Sequence, residues 1–197
     1  ELIAHGVIGF DPTDPTIPVA SLLGGSLFSR ANIGGVVESD FFDWLIEVEG
    51  GDQFVRGLAR RLMRFAWADV EHDVMKVLYE SVIGTSERHR LGEYYTPDWL
   101  ADEIVQASID DPLEQRVLDP ACGSAGMFVQ TGHFIEDVRH AVVNDTVTFH
   151  GQEKSDTNTK LARMNLVVHG LDASNIRQGN TFYDQIEHLI GQCSFVM

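Results

Sequence analysis

The chain has 197 residues, of which 44% are hydrophobic and 22% charged, and its formal net charge is −16. This balance predicts a globular, soluble protein with one substantial domain or a domain with an extension, and no apolar run approaches the roughly 18 residues of a membrane span. With three lysines among 14 basic residues, the chain lacks the electrostatic footprint of a protein that grips nucleic acid unaided, and its one obvious basic patch is Arg88-His89-Arg90.

The two cysteines, Cys122 and Cys193, are far apart and form no CxxC pair. A disulfide framework or a zinc site is therefore not expected, and a reducing cytoplasm fits the composition. The histidines show no metal-binding spacing, so no metal is predicted, and no signal peptide opens the chain. Because the sequence starts at Glu1 rather than Met, we expect a processed product or a piece of a longer polypeptide.

The first part of the chain, residues 1–83, is predicted to be a mainly helical region. Residues 1–40 are rich in Gly, Pro, Ser and Thr, which predicts irregular structure with at most a short strand or helix. From Phe41 to about Ile83 the apolar residues recur at helical spacing. We expect two apolar stripes to form core, and their members are Val55, Leu58, Leu62 and Phe65, then Val70, Val74, Val77 and Leu78.

A second region, residues 84–197, begins with a polar loop and then alternates helices with strands. In TPDWLADEIVQASI, Thr96 is a good N-cap and Pro97 suits the first helical position. The segments RVLD, VTFHGQE, Asn175–Gly179 and CSFVM predict four strands. Helices are predicted within GSAGMFVQTGHFIEDV and SDTNTKLARMNLVVHG. This order predicts an α/β fold with a parallel, doubly wound sheet that is incomplete within the printed residues.

In such sheets a ligand binds at the carboxyl ends of the strands, and DPACGSAG follows the first strand there. Gly123 and Gly126 allow a tight turn, but neither GxGxxG nor GK[ST] is present, which disfavours dinucleotide and P-loop sites. Asp119 ends the first strand, where a carboxylate suits a cationic amino group. Glu153 ends the second strand and suits ribose hydroxyls, and Asn180 follows the third and suits an adenine edge. S-adenosylmethionine (AdoMet) has all three features and no phosphate.

Each of these residues also has a structural interpretation that the sequence leaves open. The glycine turn is also typical of a plain strand–helix connection, Glu153 of a solvated strand end, and Asn180 of a turn. Cys122 is interpreted as a small packed residue, because nothing nearby looks like an activating base. Arg163 and Asn165 are interpreted as surface or packing residues.

Four segments in this order resemble the N6-adenine DNA methyltransferases: LGEYYTP, LDPACGSAGMF, HGQEKSDTNTKLARMNLVVHG and GNT. The resemblance is strongest to modification subunits of type I restriction systems and to fused restriction–modification or phage-defence methyltransferases, and it covers roughly residues 70–197. It implies the Rossmann-like fold of AdoMet-dependent methyltransferases. It also implies methyl transfer to adenine N6 in double-stranded DNA.

The resemblance assigns a set of residues to the cofactor pocket: Tyr95, Thr96, Pro97, Asp119, Ala121, Gly123, Ser124, Glu153 and Asn180. It implies that Tyr95 lies near the methionine portion, where an aromatic face suits a sulfonium. The residues from Asp119 to Ser124 would hold the methionine end, Glu153 the ribose and Asn180 the adenine. Ala125 departs from the pattern, since the family commonly has glycine there, and we expect little harm from it.

The family's catalytic motif, which is Asn, Asp or Ser followed by Pro-Pro and an aromatic residue, has no copy in the printed chain. We expect it just after Met197, so no catalytic residue is assigned and the printed residues alone are expected to be inactive. The resemblance implies double-stranded DNA as partner, contacted mostly by other regions, and association with specificity or restriction subunits, but no membrane. Two alternatives stay open: a methyltransferase acting on RNA or protein, and a non-catalytic AdoMet-binding or assembly module.

Overall fold

The computed structural model describes residues 1–31, 33, 36, 44–67, 73–84, 86, 96–108 and 115–197. Two compact units are present, one of residues 1–70 with 167–170 and one of residues 71–166 with 171–197. The division predicted between residues 83 and 84 stays a prediction. Among the described residues, no helix combines the length and the apolar composition that crossing a membrane requires.

The first unit contains five helices within its described residues. They are α1 (Leu2–Val7), α2 (Val19–Leu23), α3 (Ser26–Arg30), α4 (Trp44–Glu47) and α5 (Gly51–Leu62). The first forty residues are thus more helical than predicted, because Pro and Gly separate short helices here. Pro18 precedes α2, and Gly25, at a φ of +69°, separates α2 from α3. The core of this unit is formed by Leu2, Val19, Leu22, Leu23, Leu27, Val55 and Ala59.

The predicted apolar stripe on α5 is only partly core. Val55 is buried and Leu62 packs against the same core, as predicted. Leu58 and Phe65, however, are 40% and 64% exposed, so their assignment to the core is wrong, and Val77 is likewise 59% exposed. Helical periodicity identifies an apolar face but not how much of that face a neighbouring helix covers. Val70 and the side chains of Val74 and Leu78 lie outside the described residues.

A histidine is buried in the core of this unit. The His5 side chain has no exposed surface, its ring stacks on Phe28 with a centroid distance of 4.3 Å, and Nε2 donates to the Leu22 carbonyl at 2.9 Å. Burial, only partly offset by this hydrogen bond, lowers the pKa of His5 to about 4. The imidazole is therefore neutral in the folded protein at ordinary pH.

This burial makes the unit sensitive to acid. Between pH 6.5 and pH 4 the unfolded chain binds a proton on His5 that the folded protein does not, so the free energy of unfolding should fall across that window and then level off. The expected loss is on the order of 2 kcal/mol. Urea unfolding at several pH values should show a shallower loss in His5→Phe, which keeps a stacking ring. His188→Phe, at an exposed position, is the control, and equal acid losses in all three proteins would contradict the prediction.

The second unit is built on a four-stranded parallel sheet. Its strands are β1 (Gln115–Asp119), β2 (Val147–Glu153), β3 (Ile176–Gln178) and β4 (Phe195–Val196). Their spatial order is β3-β2-β1-β4. Val117 of β1 is opposite Phe149 of β2 and Phe195 of β4. The four predicted strands and their parallel arrangement are confirmed.

Helices precede the sheet and connect its strands, as the sequence predicts. They are α6 (Val74–Val82), α7 (Asp98–Ser108), α8 (Gly126–Arg139), α9 (Val143–Thr146) and α10 (Asp156–Val168). One boundary differs, since α7 begins at Asp98 and the Pro97 carbonyl accepts the hydrogen bonds from the Leu100 and Ala101 amides. Pro97 is therefore the N-cap, and the prediction that Thr96 caps the helix is wrong by one residue.

The core of this unit determines where the loop after β1 lies. Phe128 of α8 and Phe149 of β2 are buried and stacked, with ring centroids 4.9 Å apart. A Cβ atom at Gly151 of β2 would lie 2.8 Å from Cδ1 of Ile176, 2.9 Å from Sγ of Cys122 and 3.0 Å from Cε2 of Phe128. The absence of a side chain at Gly151 therefore lets the loop and α8 pack directly onto the sheet.

Candidate functional site

The loop between β1 and α8 is a tight turn at the carboxyl edge of the sheet. The Asp119 carboxylate accepts a hydrogen bond from the Ala121 amide at 2.9 Å. Gly123 adopts a φ of +52°, and Ala125, at +64°, is the N-cap of α8. Left-handed backbone costs a non-glycine residue about 1–2 kcal/mol. This cost means that glycine would be less strained than alanine at position 125.

Asp119 is a buried carboxyl group, with 8% of its surface exposed. Burial raises its pKa above the usual range, and the nearby Glu153 carboxylate acts in the same direction, whereas the hydrogen bond from Ala121 opposes both. Across the described parts of the chain, no basic side chain pairs with Asp119. The site is therefore one where a bound cation would be electrostatically favoured.

Glu153 connects this turn to the segment that precedes α10. Its Oε2 accepts from the Gly123 amide at 3.1 Å, and its Oε1 accepts from the Ser155 amide at 2.8 Å. Glu153 is thus more than a solvated strand end, because it binds two backbone segments at once. An ionised carboxylate has about four acceptor positions, so it retains capacity for a ligand's hydroxyl groups.

Asn180 lies in the turn that follows β3, close to the same edge. Its Oδ1 accepts from the Phe182 amide at 3.1 Å, as in the structural interpretation of a turn residue. The turn is attached to its neighbours, since the Thr181 hydroxyl donates to the Pro120 carbonyl and Gln152 Nε2 donates to the Asp184 carbonyl at 3.0 Å. A role of Asn180 toward adenine stays a prediction.

The remaining predicted pocket residues precede α7, which packs against α8. Thr96 and Pro97 are exposed, and the Thr96 carbonyl accepts from Nζ of Lys76 at 3.2 Å. Tyr95 lies outside the described residues, as does the basic patch at positions 88–90. The structure thus brings Asp119, Ala121, Gly123, Ser124, Glu153 and Asn180 to one edge of the sheet.

A family model described as N-6 DNA Methylase matches residues 70–197. The chain belongs to the N-6 DNA methylase family. The matched range is the one that the sequence motifs predicted, so the resemblance is confirmed.

Several relatives of this chain are described as methylase subunits of type I restriction enzymes. The HindI methylase subunit of Haemophilus influenzae is 34% identical over 128 residues, which are 64% of this chain and 28% of that protein. The MjaVII methylase subunit of Methanocaldococcus jannaschii is 27% identical over 118 residues, which are 59% of this chain and 20% of that protein. The chain therefore spans no more than about a third of the curated relatives it matches.

A solved structure supports the fold of this family member. The crystal structure of the type I restriction-modification system methyltransferase subunit from Streptococcus thermophilus superimposes with a TM-score of 0.55 and 20% sequence identity. The superposition covers 94% of this chain and 40% of that one. At this identity the match shows the fold alone, and it confirms the Rossmann-like methyltransferase architecture.

Sequence reasoning interpreted Cys122 correctly and missed two other residues. Burial raises the pKa of the Cys122 thiol to about 12, which confirms a packed residue rather than a nucleophile. Asn165 has no exposed surface and donates to the Ser124 carbonyl, so it touches the candidate site. Asp73, which is 4% exposed, accepts from Asn165 and caps α6. An acid directly before an apolar helical pattern is a capping signal that could have identified Asp73.

Within the described residues, no group of three or more His, Cys, Asp or Glu side chains could hold a metal ion.

Arg163 donates through Nε and Nη2 to the Ile176 carbonyl, at 3.1 and 2.7 Å. Of the two roles left open for Arg163, surface or packing, this contact fits packing.

Proposed function

We propose that the protein containing this chain is an AdoMet-dependent DNA methyltransferase that modifies adenine N6 in double-stranded DNA, within a restriction–modification or phage-defence system. One observation carries the cofactor part of the proposal. A buried carboxyl group, Asp119, lies beside a positive-φ glycine turn in a chain of the N-6 DNA methylase family. Membership in this family supports DNA as substrate and adenine N6 as acceptor.

The residues at the edge of the sheet fit the chemistry of AdoMet. Burial raises the pKa of Asp119, and repulsion from the Glu153 carboxylate adds to this effect. An ammonium group placed at Asp119 would offset both. A Cβ built at Gly123 would meet no atom within 4 Å, so the space beside this residue is open and would not obstruct a ligand. The free lone pairs of Glu153 suit a pair of ribose hydroxyls.

When bound, AdoMet supplies an activated methyl group on a sulfonium. We propose that Asp119, Ala121, Gly123 and Ser124 hold its methionine end and that Glu153 orients the ribose. Asn180 would accept or donate at the adenine edge through the part of its amide that the turn does not use. On the family resemblance, Tyr95, Thr96 and Pro97 complete the pocket.

The acceptor base would enter beside β4. This strand runs parallel to β1, and the Met197 amide donates to the Leu118 carbonyl at 2.9 Å. Residues that follow β4 in the protein would therefore come to the edge that carries Asp119. The proposed chemistry needs there a side-chain oxygen and a backbone carbonyl to accept from the N6 amino group, with an aromatic ring to stack on the extruded base.

The charge of the chain bears on how DNA would be held. A net charge of −16 repels phosphate, so we propose that most DNA contacts come from regions of the protein other than this one. Specificity or restriction subunits are proposed partners because relatives of this chain are described as methylase subunits of type I restriction enzymes.

The test uses the full-length protein with isotopically labelled AdoMet and double-stranded DNA, followed by nucleoside analysis. We expect label in N6-methyladenine, and none with Asp119→Ala. Label in RNA or protein instead would overturn the choice of acceptor. AdoMet binding by calorimetry without any transfer would favour a non-catalytic AdoMet-binding module, and no binding would overturn the cofactor assignment.

A further inference from the structure

Two buried polar side chains, Asn165 and Asp73, form a hydrogen-bonded bridge behind the glycine turn. Asn165 of α10 has no exposed surface, and its Nδ2 donates to the Ser124 carbonyl at 3.0 Å and to Oδ2 of Asp73 at 3.2 Å. Its Oδ1 has no partner among the described residues, although it is buried. An unpaired buried acceptor lowers stability, so a leucine of similar size would suit this core better on packing grounds alone. The two donated hydrogen bonds are what an apolar residue could not provide.

Asp73 carries the bridge to α6 and to the start of α8. Its Oδ1 accepts from the Lys76 amide at 2.8 Å, which is the N-cap bond of α6. Its Oδ2 would lie 3.3 Å from a Cβ at Gly126, the first residue of α8. A carboxylate in this place is favoured by the free amides at a helix N-terminus. Asp73 therefore fixes α6 against the same turn that Asn165 contacts.

Lys76 extends the connection to the segment before α7. Its Nζ donates to the Thr96 carbonyl at 3.2 Å and pairs with Oδ1 of Asp98 at 2.5 Å. The Lys76 side chain is only 14% exposed, so it is less screened than an ordinary surface cation. The helix α6 thus connects to both segments that contribute predicted cofactor residues. Lys76 contacts Thr96 directly, and the N-cap Asp73 reaches the glycine turn through Asn165.

We propose that Asp73, Lys76 and Asn165 are positioning residues of the AdoMet pocket, an inference that rests on the proposed function. Asn165 fixes the turn through the Ser124 carbonyl, Lys76 fixes the other segment through the Thr96 carbonyl, and Asp73 joins the two through α6. The family match begins at residue 70, so it includes this helix. The pocket is therefore held together from outside the sheet as well as by it.

An exchange of two side chains separates positioning from simple structural support. In the double variant Asp73→Asn, Asn165→Asp, the amide at 73 can donate to the carboxylate at 165 and still accept from the Lys76 amide. The carboxylate at 165, however, has no proton to donate to the Ser124 carbonyl. We expect Asn165→Asp alone to lower both Tm and AdoMet affinity, and the double variant to recover most of the Tm while its Kd stays about tenfold weaker than wild type.

The measurements are calorimetric AdoMet binding and thermal unfolding of the full-length protein. Thr131→Val is the matched control, because Thr131 is also buried on a helix but donates only to the Met127 carbonyl in its own helix. Its Kd should stay within twofold of wild type. Recovery of affinity together with Tm in the double variant would overturn the proposal, as would an unchanged Kd in Asn165→Asp.

A second variant applies if the exchanged pair does not fold. Lys76→Met leaves only exposed partners behind, Asp98 and Thr96, so it should fold with nearly the wild-type Tm. We expect its AdoMet Kd to be about three- to tenfold weaker, because the Thr96 segment is no longer held. An unchanged Kd would overturn the proposal. If the wild-type protein binds no AdoMet, the proposed function is wrong. If the wild-type protein binds AdoMet and the variants bind it equally well, only the proposal about positioning residues is wrong.

Discussion

Asp119→Asn should weaken AdoMet binding by about 10- to 100-fold, the cost of losing one charge-assisted hydrogen bond to an ammonium group, and should at the same time raise the Tm of the ligand-free protein. The asparagine Oδ1 can still accept from the Ala121 amide, so the turn keeps its hydrogen bond. The substitution removes a buried charge whose pKa burial has raised. Loss of binding and gain of stability should therefore appear in one variant.

The raised pKa of Asp119 also determines how stability and AdoMet affinity should change with pH. Because the folded-state pKa of Asp119 lies above its unfolded value, ionising it destabilises the folded protein as pH rises. The stability advantage of asparagine should therefore be present at neutral pH and shrink in acid. AdoMet affinity of wild type should fall as pH drops through this pKa, because a protonated carboxyl group does not attract the ammonium.

The measurements are calorimetric binding and thermal unfolding of both proteins between pH 4 and pH 8. Asp102→Asn on the exposed face of α7 removes one negative charge away from the pocket, and it should leave affinity and its pH dependence unchanged. Equal affinity losses in the two variants would mean that overall charge, rather than the Asp119 carboxylate, governs binding. A lower Tm in Asp119→Asn would contradict the account of a costly buried charge.

Phe128→Ala should cost about 3–5 kcal/mol in the free energy of unfolding, which is a large part of the roughly 5–15 kcal/mol of a typical domain. The Phe128 ring is fully buried, stacks on Phe149, and lies in the space that the missing side chain of Gly151 leaves open. Truncation removes apolar contact area and leaves a cavity between α8 and the sheet.

The chain offers a control of the same chemistry. Phe182, in the turn after β3, is 92% exposed, so Phe182→Ala should change stability by about 0.5 kcal/mol or less. Urea unfolding of both variants tests the comparison. Similar losses at the two positions would show that the stacked pair does not support the sheet.

The sheet and the placement of the candidate site residues at its carboxyl edge could be predicted because their signals are local. The strands β1 and β2 end in an acid, and β3 ends before Gly179. The parallel order of these three strands follows from the helices between them. Asp119 and Glu153 are strand-terminal acids, so their place at the same edge follows from topology alone. These predictions depended on the residue types at the ends of the strands and not on side-chain packing.

The bridge behind the turn could not be predicted, because its contacts join residues far apart in the chain. Asn165 lies 92 residues from Asp73 and 41 from Ser124. Nothing in the helical pattern of α10 distinguishes a buried asparagine from a solvated one. The exposure of Leu58 and Phe65 has a similar cause, since periodicity does not say whether a neighbouring element covers the face.

The space beside Gly151 is shared by side chains of the core and of the glycine turn. Cys122 from the turn, Phe128 from α8 and Ile176 from β3 all approach the point where its side chain would be. The sizes of the residues at these four positions are therefore not independent, and a methyl group added at one of them must be compensated at another. Substitutions in the glycine turn are in this way constrained by the interior of the sheet. Whether a change in the turn is tolerated can depend on a residue outside the proposed pocket.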